Sequence, residues 1–297
     1  MIYTLPQAGE SPIIAFIQEA QGPLEINVYY LSDRKILQVI RGTVEQGKPV
    51  FVIVDGHPFG MSEKEVEKEI KNISETGADV KIAPPQFEGS SRFDHAKYSV
   101  AGNEALIGSA NWSWSAFHHN RDYLITTSNQ DDISTLHQIF KADWNGSAFY
   151  KSSDPMPKNL VISPGSLTQI EQLIEQPGPV EVETEELGDA PKVISALEQK
   201  GHQASIILPS TISNADQQRA NEIAQYGVNV RFMPKEKLYI HAKAIIGENE
   251  AFIGSQNFSD TSLMINREVG IILTNKTDIN YLSQQFQQDW NQSTNTP

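Results

Sequence analysis

The sequence predicts an α/β protein of two similar domains, each an α-β-α sandwich with a mixed sheet covered by helices on both faces. Three observations predict it. Sliding the chain against itself by about 146 residues aligns 95–147 with 241–293 without a gap, and roughly 24 of about 53 positions are identical. Strands alternate with helices through the first part of each half, the pattern of a helix-covered sheet. Three short β-rich segments then follow in quick succession, which makes part of each sheet antiparallel.

In the first half, SPIIAFIQEA (11–20) places apolar residues at helical spacing, and a β-branched run begins after Gly22-Pro23. INVYY (26–30), PVFVIVD (49–55) and DVKIA (79–83) read as buried strands, with RKILQVIRGTVEQ (34–46) and SEKEVEKEIKNISET (62–76) as the helices between them. KYSVAG (97–102), EALIGS (104–109) and DYLITTS (122–128) are the closely spaced strands. The second half keeps this order. A helix at 166–176 precedes strands at 180–187, 204–210 and 229–234, with helices at 192–200 and 214–226 between them and short strands at 243–248, 250–255 and 268–274. A period this long implies two domains rather than a solenoid. The boundaries are 1–150 and 151–297, with the join in NGSAFYKSSDPMPKNL (145–160), rich in Ser, Pro and small residues.

Composition bounds the function. The chain has 297 residues and a formal net charge of −14, from 23 basic and 37 acidic residues. That argues against general affinity for polyanions, which depends on clustered Lys and Arg, while leaving room for a small basic pocket. The absence of cysteine excludes disulfides, a thiol nucleophile and thiolate metal sites. No apolar run reaches the roughly 18 residues of a membrane span. No basic start with an apolar h-region opens the sequence, so a cytoplasmic location is the reading of the chain as given, and a secreted or envelope location if an upstream signal has been removed.

The polar positions of the repeat are the informative ones. On an extended segment His95 and Lys97 share one face, as do His241 and Lys243, leaving Ala96 and Ala242 against the core. A His beside a Lys makes sense if an anion sits between them. Gly108-Ser109 and Gly254-Ser255 then offer a hydroxyl and backbone N–H groups to an oxyanion, and Asn111 and Asn257 follow two residues later. Asp122 and Glu268 stand at equivalent places after identical Asn-Arg pairs, and a carboxylate is the usual partner that fixes an imidazole's tautomer. In a single copy, each residue could have an ordinary packing or capping role. Here every one of these polar positions recurs while apolar neighbours drift, Leu106 to Phe252 and Trp112 to Phe258, the reverse of what packing alone would preserve. Trp112, Trp114 and Phe258 follow the motifs and are candidates for a substrate-binding wall, as well as for burial under the loop.

HxK, then Gly-Ser-x-Asn, then a carboxylate, twice in one chain and closing on Phe140–Trp144 and Phe286–Trp290, resembles the phospholipase D superfamily, the HKD phosphodiesterases. The resemblance covers essentially the whole chain. It implies two domains about a pseudo-two-fold axis, both motifs meeting at one interfacial site, and a metal-independent reaction without cofactor. It implies a phosphohistidine intermediate, with His95 favoured as nucleophile and His241 as acid, Lys97, Lys243, Asn111, Asn257, Ser109 and Ser255 around the phosphate, and Asp122 and Glu268 holding the imidazoles. The chain departs from the family's His-x-Lys-x4-Asp pattern, with Gly102 and Glu248 five residues after the lysines and the interval from Lys to Gly-Ser one residue shorter. A phospholipid or other phosphodiester is the expected substrate, with water or an alcohol as acceptor and nucleic acid less favoured. A nuclease-type enzyme and a catalytically silent module binding a phosphorylated ligand or partner protein are the alternatives. One chain supplies both motifs, so the site needs no dimer.

Overall fold

The structure, a computed structural model, describes residues 1–89, 91–147 and 158–296; the join expected at 150–151 lies outside the described residues. The first half runs β1 (Ile2–Leu5), α1 (Ser11–Glu19), β2 (Leu24–Val28), α2 (Arg34–Glu45), β3 (Val50–Val54), α3 (Glu63–Ser74), β4 (Asp79–Ile82), β5 (Lys97–Ala101), β6 (Glu104–Gly108), α4 (Trp114–His119), β7 (Asn120–Thr127) and α5 (Gln130–Trp144). The second runs β8 (Leu160–Ser163), α6 (Leu167–Glu175), β9 (Val180–Thr184), α7 (Pro191–Lys200), β10 (Ala204–Pro209), α8 (Asn214–Gln225), β11 (Asn229–Met233), β12 (Tyr239–Ile240), β13 (Lys243–Ile246), β14 (Ala251–Gly254), α9 (Asp260–Met264), β15 (Glu268–Leu273) and α10 (Lys276–Gln292).

The two sheets have the same strand order. It is β1-β7-β6-β5-β2-β3-β4 in the first and β8-β15-β14-β13-β9-β10-β11 in the second. In each, the strands joined by helical crossovers pair parallel and the rest antiparallel. Expected and observed elements agree closely because local signals are strong. Asp33 caps α2 by accepting from the N–H groups of Lys35 and Ile36, and Ser62 with Glu65 forms a capping box at α3. The sequence reading lacks β1 and β8, the edge strands that pair antiparallel with β7 and β15. Where it expected loops after the motifs, short helices α4 and α9 form instead, capped by Ser113 and Ser259.

Three apolar cores follow from this layering. Two lie under the outer helices of each half, one around Ile13, Ile36 and Val52 and one around Ile170, Val193 and Ile206. The third is shared: Ala96, Ile107 and Ile125 of one sheet, Ala244, Ile253 and Val269 of the other, with Leu136 of α5 and Leu282 of α10. The halves are thus joined by a continuous apolar layer, and the motif strands border it.

Two pairings carry backbone hydrogen bonds across the join. β12 pairs parallel with the start of β7, Tyr239 with Asn120 and Ile240 with Arg121. Asp94 forms the matching parallel bridge with Arg267. The residue just after each is a motif histidine, whose N–H donates to the arginine carbonyl of the other half, His95 to Arg267 at 2.9 Å and His241 to Arg121 at 3.1 Å.

Candidate active site

These cross-pairings seat each histidine beside the carboxylate of the opposite half. His95 Nδ1 lies 2.9 Å from Glu268 Oε2, and His241 Nδ1 lies 2.8 Å from Asp122 Oδ1. A carboxylate accepts the Nδ1 proton, so in each neutral imidazole Nε2 is the nitrogen left with a free lone pair. Asp122 and Glu268 are fully buried, and the histidine side chains are only 8% and 12% exposed, for His241 and His95 respectively.

The lysines are buried more deeply still. Ala96 and Ala242 are fully buried and pack into the shared core, while each ammonium folds back to donate to the carbonyl of its own motif histidine at 2.6 Å. Among the described residues Lys97 has that carbonyl and the ring of Tyr29, 4.9 Å from the ammonium, and no carboxylate as hydrogen-bond partner. Burial lowers its pKa from the usual 10.5 to about 7, with Lys243 pushing the same way and Glu268, Glu185 and Asp122 opposing. Burial likewise lowers His95 to about 4, opposed by Glu268 and reinforced by Lys97 and Lys243. The charges of both halves are therefore felt at the first motif.

The serines do something other than expected. Ser109 is fully buried and donates to Asp122 Oδ1 at 2.5 Å, while Ser255 hydrogen-bonds the backbone of Val269 and, by accepting its N–H at 3.0 Å, buttresses β15 next to Glu268. Their backbone N–H groups are also occupied, by Tyr123 O and Val269 O. Gly-Ser does end each strand, β6 at Gly108 and β14 at Gly254, but both serines are fully buried there with their hydroxyls turned to Asp122 and to the backbone of Val269. Gly108 is needed there, since a Cβ would meet Tyr123 O at 2.4 Å. The serines position the carboxylates, and Ser262 and Asn266 do the same for Glu268 at 2.6 and 3.3 Å.

Among the described residues, the side-chain oxygens of Asn111 and Asn257 are buried without a hydrogen-bond partner. A cavity of about 910 Å³ reaches from Asn111 and Tyr29 outward past Arg34, Arg41 and Lys68. The aromatic wall is not formed as expected. Trp112 and Phe258 are sealed in the outer cores of the two halves, where the motif's extended segment turns them inward, and only Trp114 is exposed, stacked on His118.

Gly102 and Glu248, at the positions where the family pattern carries Asp, are remote from this chemistry. Gly102 follows the end of β5 and Glu248 lies two residues past the end of β13, on the order of 15 Å along the strand from the lysines at about 3.3 Å per residue. Gly102 turns the β5–β6 hairpin at φ +61°, and a Cβ there would meet Gln21 O at 2.4 Å. Gly102→Asp is therefore expected to cost about 1–2 kcal/mol or more of stability by urea denaturation, without raising turnover.

The sequence reading missed Glu185. Its Oε2 lies 2.7 Å from Lys243 Nζ and 3.4 Å from His241 Nε2, and Tyr239 donates to its Oε1 at 2.9 Å. The stretch VEVETEEL reads as a strand, which hid a residue placed just past that strand's end. Its mismatch with Tyr29 at the equivalent position was the available signal. Among the described residues no group of three or more His, Asp or Glu side chains is arranged to hold a metal ion, and no helix is long and apolar enough to cross a membrane.

Two solved structures share the architecture over nearly the whole chain. Phosphatidylserine synthase of Haemophilus influenzae Rd KW20 superposes with a TM-score of 0.68 at 14% identity, over 99% of this chain and 87% of that one. Polyphosphate kinase from Porphyromonas gingivalis gives 0.66 at 15% identity over 97% of this chain, which spans about half (49%) of the kinase. Nuc from Salmonella typhimurium matches 51% of this chain with 97% of its own, at 14% identity and a TM-score of 0.44. No curated protein sequence matches. The family model described as the phospholipase D-like domain of cardiolipin synthase matches residues 13–144 and 186–290, and the chain belongs to this family of the phosphodiester-acting phospholipase D superfamily.

Proposed function

We propose that the protein cleaves or transfers phosphodiesters in two displacements at a single site built from both halves. The observation that carries this reading is the pair of crossed His–carboxylate contacts flanked by two buried lysines, one of them without a carboxylate partner among the described residues. Burying an unpaired ammonium is costly unless an anion joins it.

His95 is the nucleophile. Its depressed pKa keeps Nε2 unprotonated at neutral pH, and Glu268 holds the ring. Attack by Nε2 forms an N–P bond as the P–O bond to the leaving alcohol breaks. His241 Nε2 donates the proton that the departing oxygen needs, then removes a proton from the incoming water or alcohol, whose attack breaks the N–P bond. Lys97, Lys243 and the Asn111 and Asn257 amides neutralise the phosphoryl oxygens from fixed positions. The protein supplies this charge itself, so the reaction needs no metal.

A phospholipid is the favoured substrate, with phosphatidyl transfer to an alcohol beside hydrolysis. This follows the matched family, described by cardiolipin synthase, and the neighbour named as phosphatidylserine synthase. Arg34, Arg41 and Lys68 along the cavity supply the one observation favouring a nuclease-type reading. Turnover of bis(p-nitrophenyl) phosphate that is insensitive to EDTA, followed by parallel assays on phosphatidylglycerol, phosphatidylcholine and single-stranded DNA, tests the proposal. Lipid turnover exceeding DNA turnover is expected. Tight phosphate binding without any turnover would instead identify a silent binding module.

Lys97 gives a pH signature. Its folded pKa lies below that of an unfolded chain, so between about pH 7 and 10.5 the unfolded state binds the extra proton and this group's contribution to stability rises with pH. A bound anion raises the pKa again. Phosphate binding at pH 8 should therefore take up protons, seen calorimetrically as a dependence on buffer ionisation enthalpy, and Lys97→Met should lose that uptake.

A further inference from the structure

The two halves repeat every polar group of the motifs, yet they differ beside the lysines. β2 pairs with β5 so that Val28 faces Lys97, and β9 pairs with β13 so that Thr184 faces Lys243. The next residue is Tyr29 in one half and Glu185 in the other. Tyr29 lies under the Lys97 ammonium and edge-on to His95 at 4.7 Å, with Phe93 against its ring at 6.1 Å. Glu185 instead touches both Lys243 and the reactive nitrogen of His241. Phe93 is replaced at the equivalent position by Tyr239, whose hydroxyl donates to Glu185. The two differences form a set: an aromatic pair on the His95 side, and a carboxylate with a hydroxyl to hold it on the His241 side.

From this geometry we infer that Glu185 is a resident anion of the phosphate site. Its carboxylate occupies the phosphoryl-oxygen position on Lys243 and His241 until a phosphodiester displaces it, and so discriminates against dianionic phosphate. The inference rests on the proposed function, since it takes the Lys243–His241 pair as a phosphate subsite. Lys243 and His241 are what the charge of Glu185 answers to: they, together with the Tyr239 hydroxyl, outweigh burial and hold the carboxyl well below the usual range. At neutral pH the group therefore leaves by rotating away as an anion rather than by taking a proton. A quarter of its side chain is exposed. A diester brings one negative charge to the space it vacates. Inorganic phosphate or a monoester brings up to two, against a carboxylate that stays close by.

Isothermal titration with tungstate and inorganic phosphate at pH 7.5 tests this. Glu185→Gln should bind both at least tenfold more tightly than the wild type, and Glu185→Asp, with the carboxylate drawn back by one methylene, should fall between. Glu186→Gln removes a neighbouring charge that does not contact Lys243 and should change affinity less than threefold, which separates contact from net charge. Equal or weaker binding by Glu185→Gln, with wild-type binding that Lys97→Met abolishes, overturns the inference and leaves the phosphate site standing. Absence of binding by every variant and the wild type overturns both. A crystal structure of the wild type with tungstate gives a result independent of variants: Glu185 should be rotated off Lys243 with an oxyanion in its place, and tungstate bound with the 2.7 Å contact intact contradicts the inference.

Discussion

His95→Ala should abolish turnover of bis(p-nitrophenyl) phosphate, by about 10⁴-fold or more, since removing the nucleophile removes the covalent route rather than slowing one step. His241→Ala should behave differently, and the difference assigns the roles. Loss of a general acid costs about 10²–10⁴-fold when the leaving group needs a proton. p-Nitrophenolate leaves without one, so the first displacement survives and the second, which needs His241 to deprotonate water, becomes limiting. Stopped-flow measurement should show a burst of p-nitrophenolate in His241→Ala and none in His95→Ala. The burst appearing in His95→Ala instead would exchange the two assignments.

The second large effect is on stability. Arg121 grips Asp289 through two bonds of 2.5 and 2.9 Å, and Arg267 grips Asp143 through two of 2.8 and 2.9 Å, each arginine from one half holding the last turns of the other half's α10 or α5. All four residues are buried. Removing one member strands a buried charge, so Asp289→Ala and Asp143→Ala should each cost about 3–5 kcal/mol by urea denaturation. The double variant Arg121→Met/Asp289→Leu should recover much of the loss, because the penalty lies in the unpaired charge. The carbonyls of these same arginines hold the backbones of His241 and His95, so the destabilised variants should lose activity beyond their loss of folded protein.

The repeat made much of this legible. Alternating apolar segments were enough to place most strands and helices, because capping residues such as Asp33 and Ser62 and the β-branched runs agree with the fold locally. The edge strands β1 and β8 were not legible: four residues each carry too little periodicity, and their partners β7 and β15 lie far along the chain. His, Lys, Asn and the carboxylates stood out as repeated polar positions. What spacing could not reveal is that the halves exchange partners. The identical Asn-Arg and Asp-Trp signals are the two ends of cross-half clamps, a relation invisible to an alignment of one half on the other. Ser109 and Ser255 looked like ligands because a hydroxyl after glycine can serve either a substrate or the protein's own buried polar groups, and only the tertiary packing decides which. Glu185 is not legible from the repeat because it breaks the symmetry, Tyr29 standing at the equivalent position of the first half.

Two motifs in this chain should make one site with one nucleophile. The stoichiometry and position of phosphoryl transfer in His241→Asn, quenched after reaction with a labelled diester and read by mass spectrometry of the peptides, test this most directly. One phosphoryl group per chain, on His95, is the predicted result. Two independently labelled positions per chain, or a label that persists in His95→Ala, would contradict it.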